Sequence, residues 1–512
     1  MSTSGKFPGA LRRTFGVELE ILVPWLWEDE PDPDQKIAGD IPPILRLPVS
    51  LKKAYESPNY VDNDEVLQLV YDTFADMLNA HGLPTESIDL RAFDAGSGSD
   101  SSGSSDKYTK WIIKRDASII HPDGGYKWYG MEIISPVERA SPEAFGLVRY
   151  VLNVIKSKYR TTANQTCAFH VHVGDGLELM SLDHTRRVAG LLWAADPLLA
   201  CVHPPHRRNN YYCQSIRERS NLAHGRKAAE KDQWELNLGC CNVYIGGEMR
   251  VGESPISWRE KHHKKGHLIA YGKTRKEGHF EPFCMKDPDD YSKFNDDDVL
   301  PLQQFRIVSD ETLQIDTRVE RYVVSKDKWD AIPDTPYVST LDRKTPRFEY
   351  PTYDPIDKNG GFTSLQPKAA KDIGVFAGII PLYSGLTSCA IEWLLRAGDR
   401  PNYSFSPYSC FIIEDRETRP GTIEFREAAG TVDGEWAETW ARICVGLTQF
   451  AIHAPVEEYL SVLININRAA CGGAPYDVLD LLDEAGLFAE AVVVEKRLLK
   501  NKEEWGLKVI PN

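Results

Sequence analysis

Four short segments, far apart in the chain, each alternate apolar and chemically reactive residues with a period of two. In Phe15-Gly-Val-Glu-Leu-Glu-Ile21, the apolar Val17, Leu19 and Ile21 fall on one face of a strand, and Glu18 and Glu20 on the other. Met131-Glu-Ile-Ile-Ser135 sets Glu132 against Met131 and Ile133. Phe169-His-Val-His-Val173 sets His170 and His172 against Val171 and Val173. Thr422-Ile-Glu-Phe-Arg426 sets Glu424 and Arg426 against Ile423 and Phe425. Alone, an E-x-E strand is a solvated sheet face, an H-x-H pair two partly buried imidazoles, and an E-x-R pair a cross-strand ion pair. Together, in one sheet, they would bring carboxylates, imidazoles and a guanidinium to a single face. Carboxylates that close raise one another's pKa. A divalent cation relieves this, and oxygen donors with an occasional imidazole suit Mg²⁺ or Mn²⁺ better than zinc. Such ions commonly hold a phosphate-bearing substrate, and a forked Arg suits a transferring phosphoryl group.

The rest of the chain mixes helical and strand-like segments, as an α+β fold requires; an antiparallel sheet with a polar, metal- and nucleotide-binding face, backed by helices, is what a family resemblance carried by the same four strands implies. Helical periodicity runs over 61–81, with Val66, Leu69, Val70, Phe74 and Leu78 on one side. A second helix is expected over Pro142–Lys158 with Ser141 as N-cap. A third begins at Asp183 as cap, runs to about Ala195 and is limited by Pro197. Further strands are expected over 108–114, 129–134, 166–173, 409–414 and 422–427. The uncharged stretch Ile373–Ile391 reads as one or two buried helices, because Pro381, Ser384, Thr387 and Ser388 interrupt it. Glu435–His453 is a well-buried helix, and Asp477–Lys500 adds amphipathic helix. Residues 29–50 are rich in Pro and Asp and read as a surface insertion; 94–106 is a Gly/Ser/Asp run with no core-forming residue. Residues 203–365, with a basic patch at 259–265 and an acidic run at 287–298, read as a long, partly irregular insertion.

Lys plus Arg number 60 and Asp plus Glu 75, a formal charge of −15. That argues against a phosphate-backbone binder, so no nucleic-acid partner is expected. The ten cysteines contain no C-x-x-C pair, which argues against a zinc ribbon, and they are too sparse for a disulfide scaffold. No apolar signal core opens the chain, and no membrane partner is expected. These features predict a reduced, cytoplasmic protein. Gly266–Thr274 has five residues between its glycines where a P-loop has four, so it is set aside.

In order, FGVELE, WIIKRDASI (Trp111–Ile119), MEIISP (Met131–Pro136), CAFHVHVG (Cys167–Gly174) and TIEFREAAGT (Thr422–Thr431) resemble the amidoligase family of the carboxylate–amine ligase superfamily. The resemblance implies a glutamine synthetase-like catalytic domain over 12–455, with insertions at about 29–60, 94–106 and 203–365, followed by a helical segment over 456–512. It implies ATP and Mg²⁺ (or Mn²⁺) as cofactors, and small-molecule or peptide carboxylate and amine substrates. Glu18, Glu20, Glu132, His170 and Glu424 match metal-binding positions. His172 matches a position beside the nucleotide phosphates, and Arg426 the one that stabilises the transferring phosphate. Asp116 matches the Asp of W-x-x-x-x-D-x-S; with Arg426 and Glu20 it is a candidate catalytic residue. Arg208 and Asn210, in HRRNNYY, loosely match an R-x-x-N-type segment near the substrate and are candidate cofactor-binding residues. Ala168 stands where the family more often has Gly. The implied reaction is amide formation through an acyl phosphate. Three alternatives stay open: a phosphotransferase on the same fold, a metal-dependent hydrolase using His170 and His172, and a non-catalytic ligase-fold scaffold.

Overall fold

The computed structural model describes residues 13–34, 41–56, 60–88, 109–176, 180–226, 337–341, 343–349, 366–384, 388–398, 400–408 and 421–510, with short strand pairs between 268 and 315. The expected strand at 409–414 and the Gly/Ser/Asp run at 94–106 lie outside the described residues. Two compact units divide the chain: Thr14–His172 with Glu427–Cys444, and Met1–Arg13 with Val173–Arg426 and Val445–Asn512.

The first unit is built on a long strand, β1 (Thr14–Trp27). It runs past its expected end at Val23, and its alternation gives way to a stretch, Ile21–Trp27, that is apolar and buried on both faces. The expected surface insertion after it is partly folded: β2 (Leu45–Leu47) pairs parallel with the end of β1, burying Leu45 and Leu47. Helix α1 (Tyr60–Ala80) places Val66, Val70, Phe74 and Leu78 in the core as expected, whereas Leu69 stays partly exposed. The strands β3 (Thr85–Ser87), β4 (Trp111–Lys114), β5 (Lys127–Ile134) and β6 (Glu138–Arg139) follow. β4 is shorter than the expected 108–114. Helix α2 spans Pro142–Lys158, and the Ser141 hydroxyl accepts from Ala144 N at 3.2 Å, the expected cap. β7 (Ala168–Gly174) and β9 (Ile423–Ala429) bring in the remaining two motif strands, with β8 (Tyr403–Ser404) between them in the chain.

Within this unit the strand order is β7-β1-β5-β4-β3. The ladders β1–β5, β4–β5 and β1–β6 are antiparallel, and β3–β4 is parallel. Mixed α+β architecture with a mostly antiparallel sheet is therefore established. Helices α1 and α2 back it. Phe15 of β1 stacks on Phe145 of α2 with centroids 4.5 Å apart, and the Tyr71 hydroxyl of α1 donates to Gly130 O of β5. The first half of α6 (Gly434–His453) joins α2 through Arg149 and Glu438, 2.6 Å apart.

The second unit is mainly helical. α3 runs from Leu182 to Leu199, with Ser181 and not Asp183 as its N-cap: the Ser181 hydroxyl accepts from His184 N at 3.2 Å. Asp183 sits in the first turn, where its charge complements the helix dipole. Pro197 does not end the helix either. Proline lacks the N–H that would bond the carbonyl four residues back, at Trp193. That carbonyl accepts instead from Arg217 Nη1 at 3.1 Å, so the last turn continues. Against α3 lie α4 (Val375–Ser384) and α5 (Ser388–Leu395), the two helices of the uncharged stretch, and α7 (Val456–Ala470). The expected Asp477–Lys500 helix is two, α8 (Val478–Glu484) and α9 (Phe488–Asn501). Gly486, at φ 75°, breaks it, and Leu487 N closes back on Leu482 O at 2.7 Å. At its start, Asp477 and Asp480 form a reciprocal capping box. Among the described residues no helix is long and apolar enough to cross a membrane.

Candidate functional site

In the first unit, the residues of β1, β5, β4 and β7 that alternate with the core form one cluster. Its register is set by Ser135, the Ser of the E-x-x-S-P motif. The Ser135 hydroxyl accepts from Val17 N at 2.8 Å, and Ser135 N donates to Val17 O at 2.9 Å. The ladder counted from that point places Glu20 opposite Glu132. The next ladder places Glu132 opposite Lys114. A row Glu20–Glu132–Lys114 thus crosses three strands, with Glu18 opposite Ile134 one step along.

β7 supplies the imidazoles. Glu18 Oε2 lies 2.9 Å from His170 Nδ1, and Glu18 Oε1 lies 3.1 Å from His172 Nε2. One carboxylate therefore takes both imidazoles of the H-x-H pair. Glu20 Oε2 accepts from Ala168 N at 2.7 Å, and its Oε1 lies 3.9 Å from His170 Nε2. Glu20, Glu132 and His170 are buried, while Glu18 and His172 are about a quarter exposed, at 23% and 27% of the side chain. The cluster has a closed floor and an accessible rim.

The electrostatics divide the carboxylates. Burial alone would raise the Glu18 carboxyl, but the two imidazoles, His172 foremost, outweigh it and hold it well below the usual carboxylate range. Glu132 moves the other way. Burial, and then the nearby Glu18 charge, push it up to about 8 despite the Lys114 ammonium 2.9 Å from its Oε2. Burial would lower Lys114, but Glu132 outweighs this and holds it above its ordinary value. Asp116, two residues beyond Lys114, accepts from Ser118 N at 2.6 Å, closing the D-x-S turn.

A close approach holds the β9 end of the unit. Gly430 N donates to Cys167 O at 2.8 Å. A Cβ on Gly430 would lie 2.4 Å from Cys167 Cβ and 3.0 Å from Glu20 O, so only glycine fits there.

In the second unit, Arg426 and Glu424 form an ion pair on β9. The HRRNNYY segment encloses Arg426. Arg207 Nη2 donates to Arg426 O at 2.7 Å, and Arg426 Nε donates to Tyr212 O at 3.3 Å. Asn210 Oδ1 accepts from Tyr212 N at 2.7 Å, fixing the turn that presents that carbonyl. Arg208 reaches Asp196 at 3.4 Å and Glu218 at 3.2 Å. Asp196 is fully buried and also accepts from Ser215 Oγ, Arg217 N and Asn402 Nδ2.

The structure thus brings Glu18, Glu20, Glu132, His170 and His172 together in one unit, and joins Glu424 with Arg426, and Asn210 with the Arg426 surround, in the other. Lys114, Arg207 and Tyr212 are the participants that sequence reasoning passed over. Lys114 had a legible signal: in Trp111-Ile-Ile-Lys114 it alternates with the buried Trp111 and Ile113, as Glu132 alternates with Met131 and Ile133. Arg207 and Tyr212 had none, because they act through tertiary contacts with a strand more than 200 residues away.

No curated protein and no solved structure matches the chain significantly. A family model described as "Putative amidoligase enzyme" matches residues 11–244, the stretch holding β1, β4, β5, β7 and every residue of the Glu18–Lys114 cluster, while Glu424 and Arg426 lie beyond it.

Proposed function

We propose that the protein is an ATP-dependent carboxylate–amine ligase that forms an amide or peptide bond through an acyl phosphate. The observation that carries this reading is the Glu18 carboxylate engaged by both His170 and His172, beside Glu20 and Glu132 facing each other across a ladder. Amidoligase similarity over the same residues supports it. So does the antiparallel sheet, the arrangement expected of a glutamine synthetase-like fold, which we assign as part of the same proposal.

The donor set fits Mg²⁺ or Mn²⁺. Its donors are carboxylate oxygens with an imidazole, and the upward push on Glu132, from burial first and then from the Glu18 charge, is one that a divalent cation would relieve. In the proposal Glu18, Glu20, Glu132, His170 and Glu424 would hold divalent ions, whose charge would offset that of the ATP phosphates. A substrate carboxylate oxygen attacks the γ-phosphorus and ADP leaves with the bridging oxygen. The amine nitrogen then attacks the acyl carbon, inorganic phosphate departs with the C–O electron pair, and the nitrogen loses a proton. Arg426, with its backbone and Nε fixed by Arg207 and Tyr212, stabilises charge on the γ-phosphoryl group. His172, on the rim, faces the phosphates. Arg208 and Asn210 frame the nucleotide end through the segment that encloses Arg426, and Asp116 shapes the turn beside Lys114. The substrates are a small-molecule or peptide carboxylate and an amine.

Calorimetric titration with ATP, with and without Mg²⁺, tests the reading beside Glu20→Gln and an ADP-release assay using hydroxylamine as a generic amine. Magnesium-dependent binding and hydroxamate formation are expected in the natural protein, both lost in Glu20→Gln. Equal binding and ADP release in the two proteins would overturn the reading. A stable phosphorylated product with no hydroxamate would replace it with a phosphotransferase on the same fold.

A further inference from the structure

Lys114 brings a positive charge into a cluster otherwise built to attract one. It stands at the end of the cross-strand row, opposite Glu132, with its ammonium 2.9 Å from Glu132 Oε2. Its side chain is 35% exposed, against 7% for the Glu132 side chain it touches. The carboxylate is thus fixed in the floor, while the ammonium reaches it from the rim on a flexible four-carbon stem. Register leaves Lys114 no route to the core, since Trp111 and Ile113 occupy the opposite face of β4.

An ammonium in this position has two possible uses. It can be a permanent counter-ion that makes a buried Glu132 tolerable. Or it can be an anion ligand that rests on Glu132 until another cation takes that carboxylate. A divalent ion and an ammonium sharing one carboxylate repel each other, and nucleotide phosphates arriving with the ion offer the ammonium new oxygen partners. The partial exposure of Lys114 favours the second use, because a counter-ion needs no access to solvent. Resting on the ligase reading above, we propose that Lys114 is a polyphosphate-binding residue of the site: it leaves Glu132 when metal and nucleotide enter and binds the phosphates of ATP.

The test uses the full chain and its variants Lys114→Met and Lys114→Arg. Affinity for ATP is measured by calorimetry at saturating Mn²⁺, and affinity for Mn²⁺ alone in a separate titration. Lys114→Met is expected to weaken ATP at least tenfold while leaving Mn²⁺ alone within threefold. Lys114→Arg, which keeps the charge, is expected to recover most of the loss. ATP binding within threefold of the natural protein in Lys114→Met would overturn the proposal. An equal loss for Mn²⁺ alone would also overturn it, because the substitution would then have disturbed the whole site and not a phosphate contact. If the natural protein binds no ATP, the ligase reading falls first and this inference with it. A measurement on the natural protein stands independently of how the variants fold. Acetylation of Lys114 by acetic anhydride, followed by peptide mass spectrometry, is expected to drop at least fivefold when ATP and Mn²⁺ are present; unchanged labelling under conditions where ATP is bound overturns the proposal.

Discussion

Glu20 on β1 and Glu132 on β5 stand directly opposite each other across an antiparallel ladder, both buried. Like charges in that relationship oppose folding. The protein tolerates the pair because Ala168 N and Lys114 each supply a donor, and because the Glu132 carboxyl is pushed toward its neutral form.

That push makes the metal-free protein sensitive to pH. Glu132 is raised from 4.5 to about 8, so between those values the folded state holds a proton the unfolded state has released. Stability contributed by this group is full below pH 4.5 and is lost as pH rises through 8, at up to about 1.4 kcal/mol per pH unit. Partly buried histidines act oppositely and lower down. His184 and His206 are both lowered to about 4 by burial, so they remove stability as pH falls below 6.5. The melting temperature of the metal-free protein should therefore peak near pH 6.5 and fall toward pH 8.5. Mg²⁺ should flatten the upper limb, and so should Glu132→Gln. An upper limb that survives unchanged in Glu132→Gln would assign it to another group.

Ser135 ties β1 to the end of β5 at the point from which the Glu20–Glu132 register is counted. Ser135→Ala leaves Val17 N buried without its partner. The cost should be about 1–2 kcal/mol in urea unfolding. Magnesium-dependent ATP affinity should fall as well, because the carboxylates lose their fixed register. Destabilisation with undiminished affinity would confine Ser135 to a role in folding.

A Cβ on Gly430 would lie 2.4 Å from Cys167 Cβ, closer than a Cβ can sit, and a tight 3.0 Å from both the Cys167 carbonyl carbon and Glu20 O. Gly430→Ala should destabilise the protein by about 1–3 kcal/mol, as overpacking does. Adding Cys167→Gly should recover only part of this, because the contact with the Glu20 carbonyl remains. Full recovery in the double variant would show the clash to be with the cysteine side chain alone.

Much of the first unit was legible from local pattern. Alternation of period two exposed β1, β5, β7 and β9 together with the residues each carries, and a serine before a proline-led apolar run marked the start of α2. The errors were local rules overruled by distant partners. Pro197 looked like a helix end, but Arg217 satisfies the carbonyl it orphans. Residues 29–50 looked like surface, but Leu45 and Leu47 found an open edge on β1.

Residue order alone fixes which face of each strand bears carboxylate, imidazole or guanidinium, because successive side chains on a strand must point to opposite sides. Which of those side chains meet is set by how the strands pair in the fold. The row Glu20–Glu132–Lys114 depends on strand order and on a register counted from Ser135, and a slip of one residue would turn every member to the other face. The enclosure of Arg426 by Arg207 and Tyr212 depends on contacts across more than 200 residues, where no periodicity can reach.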